Sequence, residues 1–120
     1  MITSNILSSG SSPQLAQVIA GYGATGLVAV GSSQTDALQL SASQNAITTS
    51  SASTGVKLPK TEMGNEIWIR NDSGQTITVY PFETSGTTFN AAAANVTVAT
   101  AKTIVFKAVS STYWISILTA

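Results

Sequence analysis

The side chains that most often carry enzyme chemistry are missing from this sequence. It contains no histidine and no cysteine. The commonest general base, the commonest metal ligand and any thiolate nucleophile are therefore excluded. Serine and threonine together make up 34 of the 120 residues, but no serine lies in a G-x-S-x-G turn, and no histidine is present to activate one. We expect a protein that is not an enzyme and that uses no cofactor or metal.

One glycine motif suggests nucleotide chemistry. Residues 21–26 match G-x-G-x-x-G, the fingerprint of dinucleotide-binding folds. That chemistry requires a helix directly after the glycines and an acidic residue about 20 positions further on. Here the motif continues into the strand-like run Leu27, Val28, Ala29 and Val30, with no acid near the required distance. We interpret the segment as an irregular lead-in.

The carboxylates are scattered along the chain: Asp36, Glu62, Glu66, Asp72 and Glu83. A hydrolase built on paired carboxylates needs two of them about 5 to 10 Å apart, and the sequence alone does not establish such a pair. Asp72 lies in an Asn-Asp-Ser-Gly turn that lacks the later ligands of a calcium loop. Ordinary turn and surface positions account best for these acids, with a paired-carboxylate enzyme as a minor alternative.

Three aromatic residues are the candidate interaction residues. Trp68, Tyr80 and Trp114 occur on strand faces opposite the aliphatic side chains. If those faces are exposed, the rings can stack on sugars or on a protein partner, because aromatic anchors dominate interface energetics. If both faces are covered, the rings belong to the core, and the sequence favours this second interpretation.

Charge and composition exclude several partners. Only 8% of the residues are charged, and five acids balance five bases. No long-range electric field therefore attracts nucleic acid or an anionic membrane. No run of residues is long and apolar enough for a membrane span. We therefore expect neither nucleic acid nor a membrane as a partner. A neutral surface favours self-association, which suits a subunit made for assembly.

The elements that must position these residues are short strands. Residues 1–35 are predicted to be an N-terminal arm, with one short helix after Pro13 and an extended run at residues 27–30. Residues 36–120 are predicted to form the folded domain, since apolar and polar residues alternate with a period of two. The predicted strands are residues 37–41, 56–58, 66–71, 76–80, 96–100, 103–109 and 113–118.

The connections carry their own signals. The turn-rich residues 71–75 predict a hairpin between the strands on either side. The alanine run at residues 91–94 predicts at most one helical turn. The predicted fold class is mainly β, an antiparallel β-sandwich or jelly-roll-like head with an extended N-terminal arm.

A family resemblance rests on the cadence of these strands. The chain combines T-G-x-x-L-P at residues 54–59, a strand that ends in Asn71, V-Y-P at residues 79–81, an Ala/Asn-rich loop and the aromatic pair Tyr113 and Trp114. In this order of strands and turn motifs, which covers residues 36–118, the chain resembles small structural proteins of tailed bacteriophages, including cyanophages. The resemblance implies a β-sandwich head, often trimeric, attached to a capsid surface or a fibre, with an anchoring N-terminal arm and no catalytic residues.

These observations predict a virion structural protein. We expect a capsid decoration (cement) protein that binds the major capsid protein, forms a homotrimer and stabilises the shell. Its expected location is the capsid surface of the virion, after synthesis in the host cytoplasm, since residues 1–14 show no secretory signal pattern. The alternative is a receptor- or carbohydrate-binding head of a phage fibre or knob.

Overall fold

Short strands build the whole described part of the chain. The computed structural model describes residues 23–82, 87–90 and 94–119. These residues form ten strands and no helix: β1 (Gly23–Val28), β2 (Leu38–Gln39), β3 (Gln44–Thr49), β4 (Gly55–Lys57), β5 (Glu66–Asn71), β6 (Ile77–Tyr80), β7 (Thr88–Phe89), β8 (Val96–Val98), β9 (Lys102–Ala108) and β10 (Tyr113–Leu118). The prediction of a mainly β fold is confirmed.

The strands form two sheets, and the chain alternates between them. The six-stranded sheet has the order β1-β3-β5-β9-β10-β7, and the four-stranded sheet has the order β2-β4-β6-β8. From β1 to β6 each strand lies in the sheet opposite the preceding strand, and β1, β3 and β5 pair in parallel. This winding is typical of a β-solenoid, in which each coil stacks on the previous one.

The antiparallel arrangement predicted from the sequence is wrong for most of this structure. Five of the eight strand pairs among the described residues are parallel. The three antiparallel pairs join β9 to β5 and β10, and β8 to β6. Alternation of apolar and polar residues shows which side chains share a face of a strand, but it does not show which strand lies alongside or in which direction.

The predicted hairpin at residues 71–75 is also wrong. β5 pairs with β3 and β9, whereas β6 pairs with β4 and β8 in the other sheet. The segment does turn sharply, because the buried Asn71 side chain accepts a hydrogen bond from the Ser73 backbone N–H and donates one to the Gln75 carbonyl. Turn chemistry fixes this corner, but the corner leads from one sheet to the other.

The core lies between the two sheets. β5 contributes Ile67 and Ile69, and β6 contributes Ile77 and Val79 from the opposite side. An aromatic cluster fills the end near β10, where Phe106 lies 5.3 Å from Phe89 and 6.4 Å from Trp114 between ring centroids. Aromatic side chains that are buried in this way supply much of the apolar area of a small domain.

Part of the predicted arm belongs to the six-stranded sheet. Gly23–Val28 forms the edge strand β1 beside β3, and Ala29 is buried in the core. No helix follows the glycines of the G-x-G-x-x-G motif, so the dinucleotide fingerprint lacks its structural context. The helix predicted after Pro13 lies outside the described residues, and so does most of the alanine run at residues 91–94.

Candidate interaction surface

The solvent-facing side of the six-stranded sheet carries a continuous row of side chains. Strand register places Gln44 beside Trp68, Trp68 beside Val105, and Val105 beside Ile117. Neighbours on one face of a sheet have Cβ atoms about 5 Å apart, so the four side chains lie next to one another in a row. We call this side of the sheet the outer face.

On one half of the outer face, exposed apolar side chains lie together next to Glu66 and Lys107. Trp68 is 45% exposed, Ile115 40% and Ile117 70%. Together with the half-buried Val105 these residues form a patch across β5, β9 and β10, which we call the apolar stripe. Single exposed apolar residues are ordinary on protein surfaces, but a contiguous group of this kind indicates an interaction site.

The other half of the outer face is concave. A cavity of about 570 Å³ opens beside Trp68 and is lined by Gly23, Ala24, Thr25, Gln44, Asn45, Ala46, Trp68, Arg70 and Thr103. Gly23 has no side-chain carbon and Ala46 has only a methyl group, so little protrudes from the sheet next to the indole ring. We call this cavity the Trp68 hollow.

Hydrogen bonds fix the position of Arg70 at the border of the hollow. Its Nε donates to Asp72 Oδ1 at 2.7 Å, and its Nη1 donates to the Ala101 carbonyl at 3.0 Å. Both side chains of the ion pair are exposed, so the pair itself adds little to stability. Its effect is to orient the guanidinium group and to balance its charge.

The structure separates the three predicted aromatic residues. Trp68 lies exposed on the outer face, and the half-buried Tyr80 lies on β6 in the other sheet. Trp114 is fully buried, and its Nε1 donates to Thr61 Oγ1 at 3.0 Å. Trp114 is therefore a core residue and not an exposed stacking or interface residue. The face of β10 that carries Trp114 packs against Phe106 in the core.

Sequence reasoning missed the residues that surround Trp68. Ile115 and Ile117 alternate with Trp114 along β10, so both faces of this strand are apolar. An apolar residue on each face was the available signal that one of the two faces carries exposed apolar side chains. Gln44 and Ala46 lie on β3, a strand that the sequence did not predict.

The described acids do not gather into a metal-binding group. Among the residues that the structure describes, no three of the His, Cys, Asp and Glu side chains lie close enough to hold a metal ion. Hydrogen bonds from the Ser33 backbone N–H and hydroxyl lower the pKa of the exposed Asp36. These bonds tie the loop between β1 and β2, a structural role.

Comparison with known proteins gives no assignment. No protein-family model matches the chain, and no curated protein matches it. Among the described residues there is no helix that is long and apolar enough to cross a membrane. The outer face is therefore the feature of the molecule that bears on function.

Proposed function

We propose that this chain is a virion structural protein, a capsid decoration (cement) protein that oligomerises on the capsid surface and stabilises the shell. The observation that carries the proposal is the apolar stripe on a module whose net charge is zero. The proposed oligomer is a homotrimer, and the proposed partner is the major capsid protein. The two sheets serve as a sandwich-like head that presents the stripe.

Hydrophobic burial supplies the energy for this assembly. Full burial of an isoleucine side chain contributes about 1.5 to 3 kcal/mol, and Ile117 is the most exposed member of the stripe. A symmetric oligomer repeats each such contact in every subunit. Contacts that are individually modest therefore add up to a stable shell component.

The phage-like order of strands and turn motifs supports the proposed capsid location. Trp68 and Asn71 of the phage-like pattern lie on β5 at the centre of the six-stranded sheet, between β3 and β9. A central strand of this kind holds the outer face rigid, which suits a module that must fit a repeating surface.

Light scattering of the purified chain tests the assembly. We expect a trimer mass for the full chain and a monomer mass for Ile117→Asp, because a buried unpaired carboxylate is costly. The matched control is Met63→Asp, which places the same charge on a residue that is 73% exposed in the turn before β5, outside the stripe. The control should remain trimeric. A full chain that stays monomeric at high concentration would overturn the self-assembly.

Analysis of virions tests the location. The protein should be present in purified particles of the phage that encodes it, in copies that follow the symmetry of the capsid. Particles that lack it should release their DNA at a lower temperature than complete particles. Equal thermal stability of the two kinds of particle would contradict the cement function.

A further inference from the structure

The Trp68 hollow has the features of a small-ligand site. Its volume of about 570 Å³ lies within the roughly 300 to 1,000 Å³ of known ligand pockets, which are mostly apolar with a few polar groups. We infer that the hollow binds a neutral saccharide of one or two rings. This activity goes beyond assembly, since the hollow is complete within a single copy of the chain.

The indole of Trp68 supplies the stacking surface. It is half exposed, and its backbone is held on both sides, because Trp68 N–H donates to the Ser43 carbonyl at 2.8 Å and the Trp68 carbonyl accepts from Asn45 Nδ2 at 3.2 Å. An aromatic ring on a fixed backbone beside an open space can offer its face to the apolar C–H side of a sugar ring.

Polar groups around the ring match sugar hydroxyls. Gln44 is the register neighbour of Trp68, and its amide can both donate and accept hydrogen bonds. Thr25 and Thr103 bring hydroxyls to the rim. Sugar hydroxyls also donate and accept, so an amide and two hydroxyls around an aromatic ring suit a saccharide better than a purely apolar ligand.

The charge of the hollow selects a neutral ligand. Among the described residues that line it, Arg70 alone is charged, and its Nε lies 2.7 Å from Asp72 Oδ1. Because the carboxylate compensates the guanidinium, the site has no net attraction for an anionic sugar. The guanidinium is held in place as a neutralised hydrogen-bond donor at the border of the cavity.

The shape of the outer face separates this site from the assembly surface. Most residues that line the hollow lie on β1 and β3, and the others are Trp68 and Arg70 on β5 and Thr103 on β9. Val105 and Ile117 of the stripe, on β9 and β10, do not line it. A flat protein surface that covers the apolar stripe leaves the hollow unfilled. A small ligand with its own hydroxyls fills it.

Tryptophan fluorescence gives a direct binding test. The chain has two tryptophans, and Trp114 is fully buried, so acrylamide quenching reports on Trp68. It is measured on the full chain and on Ile117→Asp, because assembly through the stripe would itself cover part of Trp68. Lactose and cellobiose, two neutral disaccharides, should each be titrated, with sialyllactose as the anionic comparison. We expect at least one neutral disaccharide to reduce the quenching constant about twofold and saturably, in the millimolar range typical of weak single-site binding, with no gain for sialyllactose.

A cavity-filling variant locates the site. A Cβ added at Gly23 meets only the Gln44 carbonyl oxygen at 3.8 Å and Gln44 Cβ at 4.0 Å, so a side chain fits there on the same face as Gln44. Gly23→Phe should abolish the effect of the sugar and keep the trimer mass. Ile117→Asp should keep the effect of the sugar and lose the trimer mass. An unchanged near-ultraviolet circular dichroism signal of Trp114 confirms that each variant is folded.

Three outcomes would overturn the saccharide site. In the first, neither neutral disaccharide protects Trp68 at concentrations well above millimolar. In the second, Gly23→Phe binds as well as the parent chain. In the third, sialyllactose protects Trp68 as strongly as the neutral disaccharides do, which would mean that the hollow does not select a neutral ligand. None of the three bears on capsid stability, so this inference and the assembly function can fail separately.

Discussion

At the scale of single residues, Asn71 does the most to shape the chain. Its side chain is fully buried and makes four hydrogen bonds, to the Gln75 and Val98 carbonyls and from the Ser73 N–H and hydroxyl. The amide thus satisfies backbone groups from two segments at the corner between the sheets. A buried polar residue of this kind fixes one conformation of the turn.

Replacement of Asn71 should therefore be costly. We expect Asn71→Ala to lower the free energy of unfolding by about 2 to 4 kcal/mol, because it removes four hydrogen bonds at a buried position, including the buried one to the Val98 carbonyl. Urea denaturation measures this change. Asn95→Ala is the matched control at an exposed position, where the change should stay within about 0.5 kcal/mol. Equal midpoints for the two variants would show that the Asn71 network adds nothing.

At the scale of elements, the sequence predicted most strands but not their partners. The predicted bounds of residues 66–71 and 113–118 agree with β5 and β10, since strict alternation marks both strands. β3 was missed because Ile47 is its only large apolar residue and the buried Asn45 interrupts the pattern. β7 was missed because it has two residues and gains its structure from pairing with β10.

The loop between β1 and β2 depends on one glycine. Gly31 has φ of +75°, and a Cβ there would lie 2.4 Å from the Asp36 carbonyl oxygen. Gly26 has a similar φ of +70° but nothing within 4 Å of an added Cβ. An alanine at either position would strain the backbone, but only an alanine at Gly31 would also clash with a neighbouring residue.

We expect the two glycine variants to differ in thermal stability. Gly26→Ala should cost about 1 to 2 kcal/mol from left-handed backbone strain alone. Gly31→Ala carries the same strain and also forces the Asp36 loop to move, so it should cost a further 1 to 3 kcal/mol by overpacking. Differential scanning calorimetry of both variants measures the difference. Identical melting temperatures would show that the loop yields without cost.

At the scale of the whole molecule, neutrality and the apolar stripe determine which forces would hold the proposed oligomer together. The charges balance at five against five, and the stripe residues Trp68, Val105, Ile115 and Ile117 carry none. Association driven by such a surface depends on water and not on long-range attraction between charges.

The proposed oligomer should therefore be insensitive to simple salt. We expect the dissociation midpoint of the trimer to stay within about twofold between low and 1 M sodium chloride, where screening reaches about 3 Å. Ammonium sulfate should strengthen the trimer, since excluded salts favour apolar burial. Sedimentation velocity across both salt series measures this. Dissociation by sodium chloride would show that ion pairs hold the subunits together.

The sequence by itself determined the local properties of this protein. The period of two identified most strands and the residues that share a face, because side chains alternate on any extended backbone. Composition determined the neutral, hydroxyl-rich surface. These properties depend only on residue type and spacing along the chain.

The tertiary structure alone decided which strands pair and which face becomes the core. A parallel coil and a hairpin need the same alternation, and the choice between them depends on contacts between residues far apart in the chain. Trp114 is buried and Ile117 exposed because Phe89, Phe106 and Thr61 meet one face of β10. The Trp68 hollow likewise exists only because parallel winding places Gly23 and Gln44 beside Trp68.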